Sequence, residues 1–318
     1  MPVQTGGHFV SRHEGTFPIL KKILLAVVTQ EELASLDYLI WHGNGPKAAE
    51  QTECNQSTIS RRVRRCADVF ALSLRRDQGE WVTNSCLLLQ MEREIHQLAR
   101  LLGQHPLRLE GFPCGSDPLL KPPPPGWVIG PRNVIGTSAP LTLLRERVID
   151  AWLTDSADDL PDPPDFPCVV WPLGRQPVTV LAHPNHPLVG HPNVRLQDLH
   201  RFPMPILSAE GYPRSHAICG ALGLGSLEMA MRRYDPQSWE GQTADAVTLM
   251  FCTPLNAWSF PDLVPLDSLS LFSNRLALVC RADVGEHARL QDLHCLLLAR
   301  LQHLHSRHRQ LERLQPLP

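Results

Sequence analysis

Ala48-Ala49-Glu50, a turn at Thr52-Glu53-Cys54, and then Asn55-Gln56-Ser57-Thr58-Ile59-Ser60-Arg61-Arg62-Val63-Arg64-Arg65-Cys66 decide the reading of this 318-residue chain. Pro46 follows Gly43-Asn44-Gly45 and suits the first residue of a short helix, where its fixed φ fits and its missing N–H costs nothing. The two alanines of that helix let a neighbour approach closely. Asn55 is a capping residue, and Ile59, Val63 and Cys66 follow at intervals of four and three, one buried stripe on the next helix. Polar Gln56, Ser57, Thr58, Ser60, Arg61, Arg62, Arg64 and Arg65 are left outward or in the first turn. Upstream, Leu33, Leu36, Leu39 and Ile40 give an earlier helix its buried face.

Between Gln56 and Arg76 stand six arginines and one acid, Asp68, a local charge of +5 in a chain whose net charge is −2. Such a run is usually a solvated helix face. Here it follows a short helix, a tight turn and a capped helix whose first turn is small and polar, the arrangement a recognition helix needs. Its first residues must reach base edges in the major groove while amides and arginines hold phosphates. Leu72–Arg76, Asp77-Gln78-Gly79-Glu80 and Trp81–Thr83 read as a hairpin wing that sets Arg75 and Arg76 near the minor groove or backbone. Residues 31–83 thus predict a winged helix-turn-helix with DNA contacts from Gln56, Ser57, Thr58, Ser60, Arg61, Arg62, Arg65 and Arg76. A helix capped by Asn84 or Ser85 follows. Its Leu88, Met91, Ile95, Leu98 and Leu102 form a heptad seam, which predicts a linker helix over 84–105 pairing two copies and supplying two half-sites.

The hydrophobic share of 43% and charged share of 19% support a folded core and exclude a uniformly basic nucleic-acid coat. Nine cysteines, no two within a CxxC spacing, exclude a zinc knuckle and suit buried thiols in a reducing compartment. The longest early apolar run, Ile23–Val28, is too short for a signal or membrane segment, so a soluble cytoplasmic protein is expected. Residues 1–30, broken by Gly6, Gly7, Gly15 and Pro18, read as an extension without an assigned role. Beyond 106, strand candidates Val128–Ile129, Cys168–Trp171, Val178–Ala182, Pro205–Leu207 and Leu276–Cys280 alternate with helix-like Pro140–Leu153 and Ser215–Arg233. That alternation predicts an α/β body of mostly parallel sheets, with Pro122–Pro125 a polyproline II linker. His183, His186 and His191 are separated by helix-breaking prolines, and His303, His305 and His308 fall at a solvated helix end, so no metal is expected. Asp155, Asp158, Asp159, Asp162 and Asp165 lie in a Pro-rich stretch and read as a surface loop without the rigid frame of catalytic carboxylates. Gly220–Gly225 has the wrong spacing for a dinucleotide fingerprint, and no nucleophile elbow occurs. Neither an enzyme nor a cofactor is expected.

The stretch Ala48–Val63 resembles the LysR-type transcriptional regulators of bacteria, and Arg76, Gly79, Val82 and Thr83 are similar to that family's wing. Weaker echoes are Leu107-Arg108-Leu109, Gly136-Thr137-Ser138 with Val148-Ile149-Asp150, His186-Pro187-Leu188 and Leu196–Leu199. Asn55, Leu74 and Cys86 depart from the usual Ser, Phe and Gly, and Thr248–Pro254 lacks the family's late glycine turn. The resemblance implies a C-terminal effector domain over 106–318, built of two Rossmann-like, periplasmic-binding-protein-like subdomains: about 106–172 with 276–300, and about 173–275. An effector would sit in the crevice between them. Thr137 stands where the family often holds an anionic ligand, Cys114 or Ser116 lies in the loop after the first strand, and Ser208 belongs to the second subdomain. For each, an ordinary loop or cap role stays open. Gly136-Thr137-Ser138 before a helix starting near Pro140 also offers N–H groups to an anion, so a small anionic effector is expected. Implied partners are double-stranded DNA with two half-sites, a second copy in a homodimer or homotetramer, and RNA polymerase. The alternative is a ligand-independent regulator whose body serves only oligomerisation or protein contacts.

Overall fold

Thr29 starts helix α1 (Gln30–His42) with a capping box: its hydroxyl accepts from the Glu32 amide, and Glu32 accepts from the Thr29 amide. The computed structural model describes residues 28–229, 231–266, 269–307 and 315–316; the extension proposed for 1–30 lies mostly outside them, as does His308. Asn44 caps α2 (Gly45–Gln51) and Asn55 caps α3 (Gln56–Phe70), its Oδ1 accepting from the Thr58 amide at 2.8 Å. Leu33, Leu36, Leu39, Ala48, Ala49, Ile59, Val63 and Cys66 share one core. Strands β1 (Arg75–Asp77) and β2 (Glu80–Val82) pair antiparallel across Gln78 and Gly79, both with positive φ, as a two-residue hairpin requires. Helix α4 (Leu87–Leu101) starts without a side-chain cap at Cys86. Of Asn84 and Ser85, either one expected as that cap, Asn84 instead accepts from the Ser73 amide at 2.6 Å and closes the base of the wing.

The body continues with β3 (Leu107–Glu110), α5 (Asp117–Leu120), β4 (Trp127–Ile129), α6 (Ser138–Arg145), β5 (Ala151–Thr154), β6 (Cys168–Ala182), α7 (Leu196–Leu199), β7 (Pro205–Leu207), α8 (Pro213–Ala221), β8 (Leu227–Met229) and α9 (Pro236–Trp239). It ends with β9 (Met250–Cys252), α10 (Pro254–Ala257), β10 (Val264–Pro265), β11 (Phe272–Arg281), α11 (Ala288–Arg307) and β12 (Gln315–Pro316). The main sheet runs β4-β3-β5-β11-β6-β10, with β9 and β12 also on β6. Among the described residues, only β3 with β4, β3 with β5, and β7 with β8 are parallel, so the sheets are mixed rather than mostly parallel. Two expected helices are each a helix and a strand. Arg147 at φ 56 separates α6 from β5, and Gly223 and Gly225 at positive φ separate α8 from β8.

Two lobes result, one around Leu107, Leu153, Leu278 and Leu297, the other around Val180, Leu199, Ile206 and Leu249. Strands β6 and β11 run through both lobes. Their register shifts between Leu276 and Ala277, where Leu173 is the extra residue opposite. The acidic stretch is not wholly a surface loop. Asp159 is buried and accepts from the Ser215 amide at 2.9 Å and hydroxyl at 2.6 Å, while Asp158 accepts from the Arg275 amide and guanidinium; only Asp162 and Asp165 are exposed. His186 accepts from the Leu188 amide and meets the Val247 carbonyl at 3.1 Å, so both ring nitrogens are engaged. No helix among the described residues is long and apolar enough to cross a membrane.

The reader domain is clamped to the body by buried charge. Asp37 of α1 pairs with Arg93 of α4 and Arg108 of β3, each at 2.9 Å. Arg93 also reaches Glu146 at 3.3 Å. Asp150 takes both arms of Arg100 at 2.9 Å, Gln97 at 3.0 Å and the Arg108 amide at 2.8 Å. Beside this layer Trp41, fully buried, donates its indole N–H to Glu110, whose other oxygen accepts from the Arg132 and Gly111 amides. Arg233 from the second lobe holds both oxygens of Glu80 in the wing at 2.6 Å and donates to the Trp41 carbonyl at 3.1 Å.

Asp37→Ala strands two buried arginines, and the expected cost is about 3–5 kcal/mol. Urea unfolding should show a lower midpoint at unchanged slope; an unchanged midpoint would mean that water reaches the layer. Burial pushes the Glu110 carboxyl up from 4.5 to about 7. The stability this lends the protonated form is complete below the unfolded value and is lost as pH rises through about 7. Between about pH 4 and pH 8 the wild type should therefore lose roughly 3 kcal/mol relative to Glu110→Gln. His42, lowered to about 4 by burial and then by Arg233, acts in the opposite sense but is common to both proteins. Parallel pH profiles of the two proteins would return Glu110 to an ordinary carboxylate.

Candidate nucleic-acid interface and effector cavity

The recognition face is built by α3. Ser57, Ser60, Arg61 and Arg64 recur at three- and four-residue intervals opposite buried Ile59, Val63 and Cys66, and all four are exposed. Gln56 is exposed beside them, while Thr58 and Arg62 are half-buried. The Ser57 hydroxyl donates to Asn55 Oδ1 at 2.7 Å and that of Ser60 to the Gln56 carbonyl at 3.1 Å, which leaves both oxygens able to accept. Two expected contacts have work inside the domain. Arg65 pairs with Glu32 at 2.9 Å. Arg76 donates to the Gly43 carbonyl at 3.2 Å and lies 4.8 Å from the Trp81 ring, tying the wing to the turn before α2. Arg64 was not among the expected contacts, although the spacing that marks the buried stripe also puts it on the outward face. Arg75 is exposed at the start of the wing.

Helix α4 has an inverted amphipathicity. Its Leu89, Arg93, Gln97, Arg100 and Leu101 face the protein. Its apolar seam faces out: Leu88 is 44% exposed, Met91 55%, Ile95 60%, Leu98 51% and Leu102 74%. An apolar stripe of this length left in water marks a surface that a partner covers.

Between the lobes lies a cavity of about 160 Å³. Cys114, Asp155 and Ser156 line it from the first lobe, and Tyr212, Tyr234 and Trp239 from the second. Phe251, Cys252 and Thr253, from the stretch that lacks the glycine turn, and Asn256 just after it close one wall. No lysine or arginine lines it among the described residues. Asp155 accepts from the Ser156 hydroxyl at 3.2 Å and the Asn256 amide at 3.4 Å, and burial pushes its carboxyl up to about 6.

Of the four expected effector residues, only Cys114 reaches this cavity. Ser116 is buried and donates to the Phe112 carbonyl at 2.6 Å. The Ser208 carbonyl accepts from the Gly211 and Tyr212 amides and closes its own loop. Thr137 lines a separate hollow with Arg145, Asp159, Asp165 and Glu210. The cradle expected to hold an anion is already filled: the Thr137 amide donates to the Gly211 carbonyl at 3.2 Å and the Gly136 amide to the Tyr212 hydroxyl at 3.0 Å. A Cβ on Gly136 would stand 2.9 Å from the Gly211 Cα, so the two loops touch and leave no room between them. Two of the three amides expected to hold an anion at Gly136–Ser138 are thus engaged inside the protein. Asp155 and Asn256 were hidden because their partners lie across the sequence, with no local period to mark them.

No family model matches the chain, and no curated protein does. Among solved structures, it is similar to an H2O2-bound mutant of OxyR from Corynebacterium glutamicum, at 16% identity and TM-score 0.48, covering 88% of this chain and 96% of that one. It is also similar to ArgP from Mycobacterium tuberculosis, at 14% identity and TM-score 0.47, covering 86% and 97%. A third is CbnR, a LysR family transcriptional regulator, at 13% identity and TM-score 0.43, covering 84% and 98%.

Proposed function

We propose that this protein is a sequence-specific DNA-binding transcriptional regulator that works as a homodimer or homotetramer and answers to a small molecule in the inter-lobe cavity. The observation that carries the reading is the outward face of α3, a run of hydroxyls and arginines in the first turns of a capped helix beside a wing that exposes Arg75. Base edges are reached by Gln56, Ser57 and Ser60, and phosphates by Arg61 and Arg64, with Arg62 and Arg75 at the margin. The seam Leu88, Met91, Ile95, Leu98 and Leu102 pairs two copies and so presents two recognition helices to two half-sites. A lined cavity between the lobes favours ligand response over a body that serves only oligomerisation.

Binding should be measured by fluorescence anisotropy on the DNA fragments that co-purify with the protein. Arg61→Ala or Arg64→Ala should weaken binding to all sequences and reduce the salt slope by about 1. Gln56→Ala should instead relax preference at one position per half-site, by about 1–3 kcal/mol. Unchanged affinity and salt dependence in the arginine variants would make α3 a solvated face. Ile95→Asp buries an unpartnered charge in the paired seam at a cost of several kcal/mol. Sedimentation should show a smaller species, and a fully oligomeric variant would move the interface to the body.

A further inference from the structure

We infer that the inter-lobe cavity takes a small organic cation, an ammonium carried on an apolar body, held by Asp155 and the aromatic walls. The inference rests on reading the body as the effector-binding part of a regulator, and it concerns which chemistry that site selects. Charge is the first ground. Among the described residues Asp155 is the only acidic side chain that lines the cavity, and it makes no ion pair. Arg275, Arg175 and Arg214 pair with Asp158 rather than Asp155, and Arg214 also donates to the lining Asn274 at 3.3 Å. An anionic ligand would meet a carboxylate with no lysine or arginine among the described lining residues to offset the repulsion, His216 being the one basic side chain there. A neutral ligand would leave that carboxylate without a counter-charge. A cation supplies one.

The second ground is hydrogen bonding. Asn256 turns its Nδ2 toward Asp155, and its buried Oδ1 has no donor. The Asp155 carboxylate offers two acceptor oxygens, of which Asn256 and Ser156 take part, and an ammonium carries three N–H donors. The third ground is the wall. Tyr234, Trp239, Phe251 and Phe272 line the same space, and the electron-rich faces of such rings attract a cation as well as covering an apolar body. The cation-accepting carboxylate comes from the first lobe at the end of β5, while Tyr234 and Trp239 come from the second. One ligand therefore touches both lobes.

The test uses the full-length protein, with 2-phenylethylammonium as the probe and 3-phenylpropionate as its anionic counterpart, in thermal shift and calorimetry. The ammonium should stabilise and bind the wild type, and the carboxylate should not. Asp155→Asn should weaken ammonium binding by about tenfold or more, and Phe251→Leu, which keeps apolar volume but removes a ring face, by about threefold. Should Asp155→Asn fail to fold, the contrast between the two probes on wild type and Phe251→Leu still decides. A carboxylate that binds as well as the ammonium, an ammonium affinity unmoved by Asp155→Asn, or no binding by either probe overturns the inference. Anisotropy on co-purified DNA, run in parallel, separates the two readings: ammonium binding without DNA binding would support the cavity assignment and sink the regulator.

Discussion

The buried ion layer around Asp37 and Asp150 sets the orientation of everything N-terminal to the body. Arginines are rarely taken out of water unless each is met by an acceptor, because an uncompensated buried charge costs several kcal/mol. Here both oxygens of Asp37 and both of Asp150 accept donors from α4 and β3. Arg93 and Arg100 stand seven residues apart, so they share one face of α4, and pairing both fixes the rotation of that helix about its axis. Once that face is inside, the leucine and isoleucine seam has nowhere to go but outward. The exposed stripe is therefore a consequence of the ion layer, and a second copy is the simplest cover with the same period.

The same constraint explains how the reader comes to sit against the body rather than swing on its linker. Asp37 belongs to α1, Arg93 to α4 and Arg108 to β3, so one carboxylate joins three segments. Tyr38, next in sequence, lies under the Arg108 guanidinium at 4.7 Å, and Trp41 one turn on inserts its indole against Glu110. Helix α1 thus presents two faces: leucines toward α3 and a polar-aromatic ridge toward the body.

What the sequence could disclose follows from the range of each interaction. The caps of α3 and the stripe Ile59, Val63, Cys66 are local, and a three-four period reveals them without knowledge of the rest. The wing turn is local too, since Gln78-Gly79 supplies its positive φ. The α4 seam is visible for the same reason, but why it faces outward is not, because that depends on Asp37 and Asp150, about fifty residues away on either side. The acidic stretch misled because prolines around Asp155–Asp165 suggest a surface loop, whereas Ser215 and Arg275 reach it from far along the chain. Thr137 misled differently. A glycine-threonine-serine loop before a helix has free amides on paper, yet Gly211 and Tyr212 take them in the fold.

Cavity and reader share one short length of backbone. Met231 and Tyr234 line the cavity, and between them Arg233 grips Glu80 of the wing and the carbonyl of Trp41. The flanking peptide is pinned to the first lobe, through the Ile135 amide on the Arg232 carbonyl at 2.9 Å and the Tyr234 amide on the Asn133 carbonyl. A bound molecule that displaces Met231 or Tyr234 must therefore strain either these hydrogen bonds or the bidentate grip on Glu80. Which gives way depends on the difference in ligand affinity between the two arrangements, since a ligand that binds both equally shifts nothing. The grip on Glu80 is the part that faces the wing, so its loss would free the wing from the second lobe while leaving the core of the reader intact.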